Sequence, residues 1–421
     1  MTEVTPKEQI KRFTTVSGRI PNNYAKLLQN KDISDPETES ILEYCEWEDF
    51  RNKNSYKNSI VKHSDYYLTI TTNYNLNDLK NSIKHFIEKE DEYEFYIKQM
   101  NLNYNKMKST ALSIEEKKGC ALVLSYYTGY KGNSDRSSRN TNVLIRGQNS
   151  FSKTENWYDG KKFYPIIYYL SKAISHLPFY WGYTVRCVQL EKNQVDIYQP
   201  GTIVTWLQWS SSKIGTEPAP YFKLRNTWFY IYSYSSREIS QFSIYSSSEK
   251  EALYSPFSHF LVFKKETKNN KYLIHMRQIE IGLFIDNILW VDDNIFNSNW
   301  ENKGLIEKAY SINKSLKIIP KISTNTATAF LKSFKKFIKN KIVKYKIVSD
   351  MNRNNEYPSD NAGARFIKFL QENDFGNLDV MIFTSSRESA VEKLKKLKVI
   401  LNQEIKITTS ALDAINFLVK N

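Results

Sequence analysis

The chain has 421 residues, 41% of them hydrophobic and 14% aromatic, which excludes a disordered polar chain and leaves room for two or three domains. Lys and Arg together number 60 against 45 acidic residues, a formal charge of +15, so anionic partners are favoured without any one being singled out. The three cysteines, Cys45, Cys120 and Cys187, are too widely spaced for a disulfide framework or a zinc site.

Met1-Thr2-Glu3-Val4-Thr5 lacks the apolar core of a secretory leader, and no apolar run is long enough to span a membrane. An intracellular, cytoplasmic protein without a membrane segment is therefore expected. Residues 1–34 are polar and short-patterned. Asp35-Pro36-Glu37 reads as a helix start leading into Ser40–Trp47. Leu76–Met100 carries Leu79, Ile83, Phe86 and Ile87 on one helical face, and Ile114–Tyr127 reads as a further helix. Residues 1–130 are accordingly a helical region. Residues 131–160, rich in Gly, Ser and Asn, are a linker or loop, with a short strand at Val143–Gly147.

A helix over Tyr164–Leu177 opens the region 161–285, and from Phe179 the period changes to that of strands. Phe179–Val188, Thr202–Trp209, Thr227–Tyr234, Ala252–Phe263 and Tyr272–Ile281 are rich in Tyr, Trp, Phe and Val, which predicts a mostly antiparallel β core. Lys264–Lys271 is the polar loop of a hairpin. Residues 286–421 alternate instead: five strands, ending near Val291, Ile319, Asp350, Thr384 and Thr408, interleave with five helices. That grammar predicts a doubly wound α/β domain with a parallel sheet. The fold class expected for the whole chain is multidomain α+β, a helix-preceded β core followed by an α/β domain.

Three features of 161–285 occur in a meaningful order. Arg186 sits inside an aromatic strand, where a guanidinium is costly to bury unless it meets an anion such as phosphate. Ser210-Ser211-Ser212 ends the strand containing Trp206 and Trp209, and hydroxyls there can orient a carboxylate or a ribose. Glu249-Lys250-Glu251 precedes a later strand. In an extended backbone its two carboxylates share a face, where they crowd and can share a ligand. Alone, such a pair would be two solvated acids. After a buried arginine and a serine run, it fits glycosyl transfer through an oxocarbenium-like state, which a carboxylate stabilises.

This ordered set resembles the arginine-specific mono-ADP-ribosyltransferases, with their R–S–E arrangement and E-x-E pair. The resemblance runs from about 160 to 281, and it is carried by Tyr183–Val188, Thr205–Ser212, Phe229–Phe263 and Tyr272–Ile281. It implies that Arg186 holds the phosphates of NAD and that Ser210, with Ser211 and Ser212, orients the catalytic glutamate and lines the NAD site. It further implies that Glu251 binds the nicotinamide ribose and stabilises the oxocarbenium ion. Glu249 would receive the acceptor guanidinium, and Tyr245 would meet the protein substrate. NAD and a protein arginine are the implied partners. Two departures stand out: Cys187 replaces the usual glycine after the arginine, and the serine triple, followed by Lys213, leaves its register open by one.

Residues 286–421 resemble a two-component receiver domain, of flavodoxin-like fold. Leu289–Asn294 looks like its first strand, Ile347–Arg353 its third and Ile382–Ser386 its fourth. The resemblance implies that Asp292, Asp293 and Asp350 hold a divalent cation such as magnesium, that Asp350 accepts a phosphoryl group and that Thr384 senses it. The family's lysine–proline pair after the fifth strand is missing, since the chain reads Lys406-Ile407-Thr408-Thr409-Ser410. Set against the transferase is a non-catalytic signalling protein working through this domain. Nucleic acid is not an expected partner, because no recognised motif is present and the lysines are spread over amphipathic helices.

Overall fold

The computed structural model describes residues 14–36, 38, 41, 72–87, 89–130, 138, 141–142, 160–244, 250–280, 286–297, 299–314, 316–339, 344–401 and 405–420. The expected helix at Ser40–Trp47, apart from Ile41, and the expected strand at Val143–Gly147 lie outside them. The chain forms two compact units. Met1–Arg19, Ala25–Ile33 and Trp47–Gln278 make the first, and Ile20–Tyr24, Ser34–Glu46 and Ile279–Asn421 the second. Among the described residues, no helix is long and apolar enough to cross a membrane.

The first unit joins helices to a bent sheet. Its main helices are α1 (Leu76–His85), α2 (Glu90–Asn103), α3 (Ile114–Thr128) and α4 (Tyr164–Ser175). The single helix expected over 76–100 is two. Helix α1 ends where Phe86 turns onto Phe163, and α2 starts afresh on Glu90, Asp91 and Glu92, acids that suit the positive end of a helix. Capping boxes start α1 (Asn75 with Asp78) and α3 (Ser113 with Glu116). Every residue of α3 from Gly119 to Thr128 is buried, so this helix runs through the core rather than along the surface. Its neighbours α1, α2 and α4 share one apolar core with Leu253 of the sheet and with Trp209, Ile239 and Phe242 from its connecting turns.

The sheet contains β1 (Thr14–Arg19), β2 (Phe179–Val188), β3 (Thr202–Trp206), β4 (Ser210–Ile214), β5 (Thr227–Glu238), β6 (Glu251–Tyr254), β7 (Ser258–Lys268) and β8 (Lys271–Ile279). They lie in the order β1-β3-β7-β8-β5-β2-β4-β6, and β6 also pairs with β5. The strands β5, β2, β4 and β6 thus close on themselves. Pairing is antiparallel except between β5 and β8. Strand β1 went unread because hydroxyls, not an apolar alternation, tie it in: Thr14 Oγ1 lies 2.6 Å from the Tyr198 hydroxyl, and Ser17 bonds Thr205.

Two expected strands are each broken, at the same corner. The strand expected over Thr202–Trp209 stops at Trp206, and the one expected over Ala252–Phe263 divides into β6 and β7. Pro256 has no amide to give a ladder. Phe257 takes a positive φ of 64°, and its N–H donates to the Trp206 carbonyl at 2.7 Å. The hairpin β7–β8 turns through Asn269 and Asn270, both with positive φ, which is tighter than the loop expected over Lys264–Lys271.

In the second unit, β9 (Asp286–Val291), β10 (Leu316–Lys321), β11 (Lys344–Asp350), β12 (Asp379–Phe383) and β13 (Ile405–Thr408) form a fully parallel sheet in the order β10-β9-β11-β12-β13. Between and after them run α5 (Lys303–Ile312), α6 (Thr324–Lys339), α7 (Ala362–Glu372), α8 (Arg387–Lys396) and α9 (Ala411–Val419). Helix α5 packs on α9, while α7 packs on α6 and α8. The helices α6, α7 and α9 have amphipathic sequences, which suits one face on the sheet.

The crossing of α3 and α4 gives a direct test. A methyl at Gly119 would overlap the ring of Tyr169, itself buried. Gly119→Ala is expected to destabilise the first unit by about 2 kcal/mol through overpacking, despite the better helix propensity of alanine. The readout is a lower urea midpoint at unchanged slope.

Candidate active site

The sheet's closed part, with the end of α3, surrounds a cleft of about 500 Å³. Its wall includes Tyr127, Arg186, Ser211, Ser212, Arg225 and Glu251. Strand β4 makes this possible. It runs between β2 and β6, with Val185 opposite Lys213 on one side and Lys213 opposite Glu251 on the other. Glu251 is the first residue of β6, half-buried at the strand's mouth. Glu249 and Tyr245 lie outside the described residues, as does the shared face of the E-x-E pair.

The arginine on β2 is anchored from below. Arg186 Nη1 donates to the carbonyl of Ser211, and its guanidinium carbon lies 5.6 Å from the centre of the Trp206 ring. Burial pulls its pKa below the ordinary arginine value, and the Arg225 charge acts in the same direction. Tyr127 and Glu251 oppose that pull. An arginine remains a cation under such a shift. Arg225 is a second cation of the cleft, and the sequence did not single it out. Its Nη1 donates to the Cys187 carbonyl at 2.9 Å, and its guanidinium lies 4.2 Å over the Phe222 ring. Cys187, in the place of a glycine, thus contributes its backbone. Burial pushes its thiol up to about 11, so it stays protonated and unreactive near neutral pH.

The serine run does not end a strand, as expected, but begins β4, and alternation along β4 sorts its members. Ser210 is fully buried, donates to the Gln208 carbonyl at 3.2 Å and does not line the cleft. Ser212 lines the cleft, though its hydroxyl donates to the Ala252 carbonyl at 3.4 Å. Ser211 lines the cleft from the face of the sheet that also carries Lys213 and Glu251. The serine turned to the polar cluster is therefore one place later than the residue first named.

Tyr127 is the functional candidate that sequence reasoning passed over. Burial, then the Glu251 charge, pushes its hydroxyl up to about 12, while Ser211 and Asn142 oppose the rise. It is a neutral donor at physiological pH. The available signal was the run Tyr126-Tyr127-Thr128-Gly129, which reads equally well as a helix end closed by glycine. Asn142, inside the stretch read as linker, also lines the cleft.

In the second unit, Asp292 and Asp293 directly follow β9, Asp350 ends β11 and Thr384 follows β12. They gather at the carboxyl ends of the strands, but not as a metal site. Among the described residues, no group of three or more His, Cys, Asp and Glu side chains is placed to hold a metal ion. Two of the carboxylates are engaged by donors of the fold. Asp292 accepts from Trp300 Nε1 at 2.8 Å and from the Asn294 amide at 2.9 Å, and Asp293 accepts from the Asn354 amide at 2.8 Å. Asp350 is pushed up to about 6 by burial and by Asp292.

A fully buried cation, Arg353, stands beside them. It donates to the Asp350 carbonyl at 2.8 Å, to Ser349 Oγ at 2.9 Å and to Thr324 Oγ1 at 2.7 Å, and it pairs with Glu356. Lys406 lies over the Phe417 ring at 5.4 Å, and the Thr384 amide donates to the Thr408 carbonyl at 3.1 Å. Arg353→Ala would leave Glu356, its side chain largely buried, with only Arg365 and the Thr324 amide as partners among the described residues. It is expected to cost about 3–5 kcal/mol, read as loss of the second unit's thermal transition.

The family described as NAD:arginine ADP-ribosyltransferase matches residues 38–281, more than half of the sequence, and the chain belongs to that family. A 97-residue part is 34% identical to a protein of Mycobacterium avium (strain 104) carrying the name NAD(+)–arginine ADP-ribosyltransferase Mav; that part covers 23% of this chain and 12% of the relative. Two solved structures are similar to this chain. The type III effector XopAI from Xanthomonas axonopodis pv. citri has 14% identity and a TM-score of 0.39, covering 53% of this chain and 99% of that one. The ADP-ribosyltransferase HopU1 of Pseudomonas syringae pv. Tomato DC3000 has 16% identity and a TM-score of 0.35, covering 48% and 97%.

Proposed function

We propose that this protein transfers ADP-ribose from NAD to the guanidinium of a protein arginine, releasing nicotinamide. The observation that carries this reading is the meeting of Arg186, Ser211 and Glu251 in one cleft of a chain belonging to this family. Arg186 and Arg225 offer two cations to the diphosphate of NAD. The bond from ribose C1′ to the nicotinamide nitrogen breaks, and the electron pair leaves with nicotinamide as a neutral base. Glu251 stabilises the positive charge left on the sugar. An acceptor guanidinium nitrogen then attacks C1′ and gives up a proton to Glu249, with Tyr245 meeting the acceptor protein. The serine serving Glu251 is Ser211 in this reading, with Ser210 and Ser212 supporting the strand.

With labelled NAD and a small guanidine acceptor, Glu251→Gln is expected to lower transfer on the order of 10²–10³-fold. Transfer at the unmodified rate would sink the assignment. Glu249→Gln should lose transfer to guanidine yet keep NAD hydrolysis, since water needs no guanidinium pocket. Equal loss of both would remove Glu249 from the acceptor step.

For residues 286–421 we infer a receiver-like, flavodoxin-like domain acting as an interaction module. The strand order, second strand beside first and first beside third, favours that topology. The occupied carboxylates and the position of Lys406 favour a role without phosphoryl transfer. Exposure to acetyl phosphate and magnesium should leave the intact mass unchanged. Phosphate incorporation abolished by Asp350→Asn would restore Asp350 as a phosphoacceptor.

A further inference from the structure

Lys213 has no part in the transfer described above, yet it lies directly opposite Glu251 in the pairing of β4 with β6. Residues so placed share one face of a sheet, with Cβ atoms about 5 Å apart. Lys213 is half-buried and lines the cleft. It forms no ion pair among the described residues. Its Nζ donates instead to the Glu217 carbonyl at 2.8 Å, which leaves two of its three N–H groups for another partner. Lys250, next to Glu251 in the chain, is exposed and also forms no ion pair among the described residues. Its carbonyl accepts from the Ile214 N–H at 2.7 Å, which carries the pairing of the two strands to the mouth of the cleft. One lysine thus faces Glu251 across the ladder and another precedes it. Among the described residues of the cleft wall, the cations Arg186, Lys213 and Arg225 stand against one carboxylate, Glu251.

An arginine side chain that comes to this carboxylate is itself a cation, and like charges oppose its approach. The two negative charges of the NAD diphosphate are matched by Arg186 and Arg225, so Lys213 is left over. An anion brought by the acceptor offsets that third cation. We propose that Lys213 is a specificity-determining residue, which selects acceptor arginines that have an Asp or Glu beside them. The proposal rests on the reading of the cleft as an arginine ADP-ribosyltransferase site. The acid of the acceptor meets the Lys213 ammonium while the guanidinium enters beside Glu251. Two opposite charges of the acceptor then meet two opposite charges of one strand pair. Selection works by repulsion as well as attraction, since an arginine among lysines brings further like charge to Lys213. The ladder holds the backbone of Lys213 at a fixed place relative to Glu251, so the distance between the two charges of a suitable acceptor is set by the register. The formal charge of +15 on the whole chain favours the same acidic surfaces at longer range.

Two short peptides that differ at one position, with Asp or Asn next to a single arginine, give the measurement. With labelled NAD and the full chain, kcat/KM for the Asp peptide is expected to exceed that for the Asn peptide about fivefold at low salt. The ratio should shrink toward one at about 0.5 M salt, where exposed charges are screened. Lys213→Met should bring it to one at low salt as well, and Lys213→Arg, which keeps the charge, should preserve it. The ratio is taken within one preparation, so a variant that folds only in part still reports it. A ratio of one in the unmodified protein would overturn the proposal, as would a preference that survives Lys213→Met. If that surviving preference comes with a raised KM for NAD, the lysine belongs to the diphosphate. A protein that modifies neither peptide nor a small guanidine would overturn the reading of the cleft itself. One that modifies both peptides alike keeps that reading and removes Lys213 from acceptor choice.

Discussion

The register of β4 against its two neighbours is the constraint on which the first unit depends. Of its five residues, Ser210–Ile214, Lys213 and Ile214 pair with β2 and Ser210–Lys213 pair with β6. A slip of one place would turn Ser211 away from the cleft and replace it with Ser210 or Ser212. Burial on both faces resists that slip. On one face Leu253 enters the helical core with Trp209, and on the other Tyr254 packs against Trp206 and Phe260. The Tyr254 hydroxyl lies 2.7 Å from Thr184 Oγ1, which ties β6 to β2 across the strand between them. The site therefore inherits its geometry from two apolar cores and not from its own polar contacts.

The legible parts of the sequence were those with strong periodicity. The aromatic strand Phe179–Val188 and the helices of the α/β unit stand out because burial imposes a regular spacing. The strand β1 does not, since Thr14 and Ser17 enter the sheet through hydroxyl bonds that leave no apolar pattern. The corner at Phe257 was equally hidden: it depends on a backbone angle and on one bond to Trp206, residues far apart in sequence. Arg186 and Glu251 could be named because few reasons exist for an arginine in an aromatic strand or paired acids before one. The serine register could not be read, because three identical residues carry no alternation. Only the strand pairing separates them. Tyr127 and Arg225 reach the cleft by tertiary placement alone.

The acid cluster of the second unit shows the opposite case, in which residue types matched a pattern and their surroundings did not. Carboxylates that bind a hard cation need free oxygen lone pairs. Asp292 spends both oxygens on Trp300, Asn302 and the Asn294 amide. Arg353 brings an internal positive charge to the same strand ends, fixed by Ser349, Thr324 and Glu356. An ion pair with every donor satisfied is costly to disturb, since removing either member strands the other. The cluster holds its loops together by these bonds.

The cleft of the first unit faces a different electrostatic problem. Arg186 and Arg225 suit a diphosphate, but cations near a sugar that becomes positively charged work against the reaction. Two unit charges 4 Å apart interact by about 4 kcal/mol at the effective dielectric of a protein surface. Glu251 supplies the opposite sign, and its benefit depends on staying where the charge develops. Its neighbours in the cleft wall, Ser211 and a tyrosine held protonated by burial, are neutral. They line the cleft without adding to the field. In the proposed transfer the cleft separates two tasks, with the arginines for binding and the carboxylate for the transition state. The helix that carries Tyr127 reaches the wall of the same cleft, although it contributes no strand to the sheet.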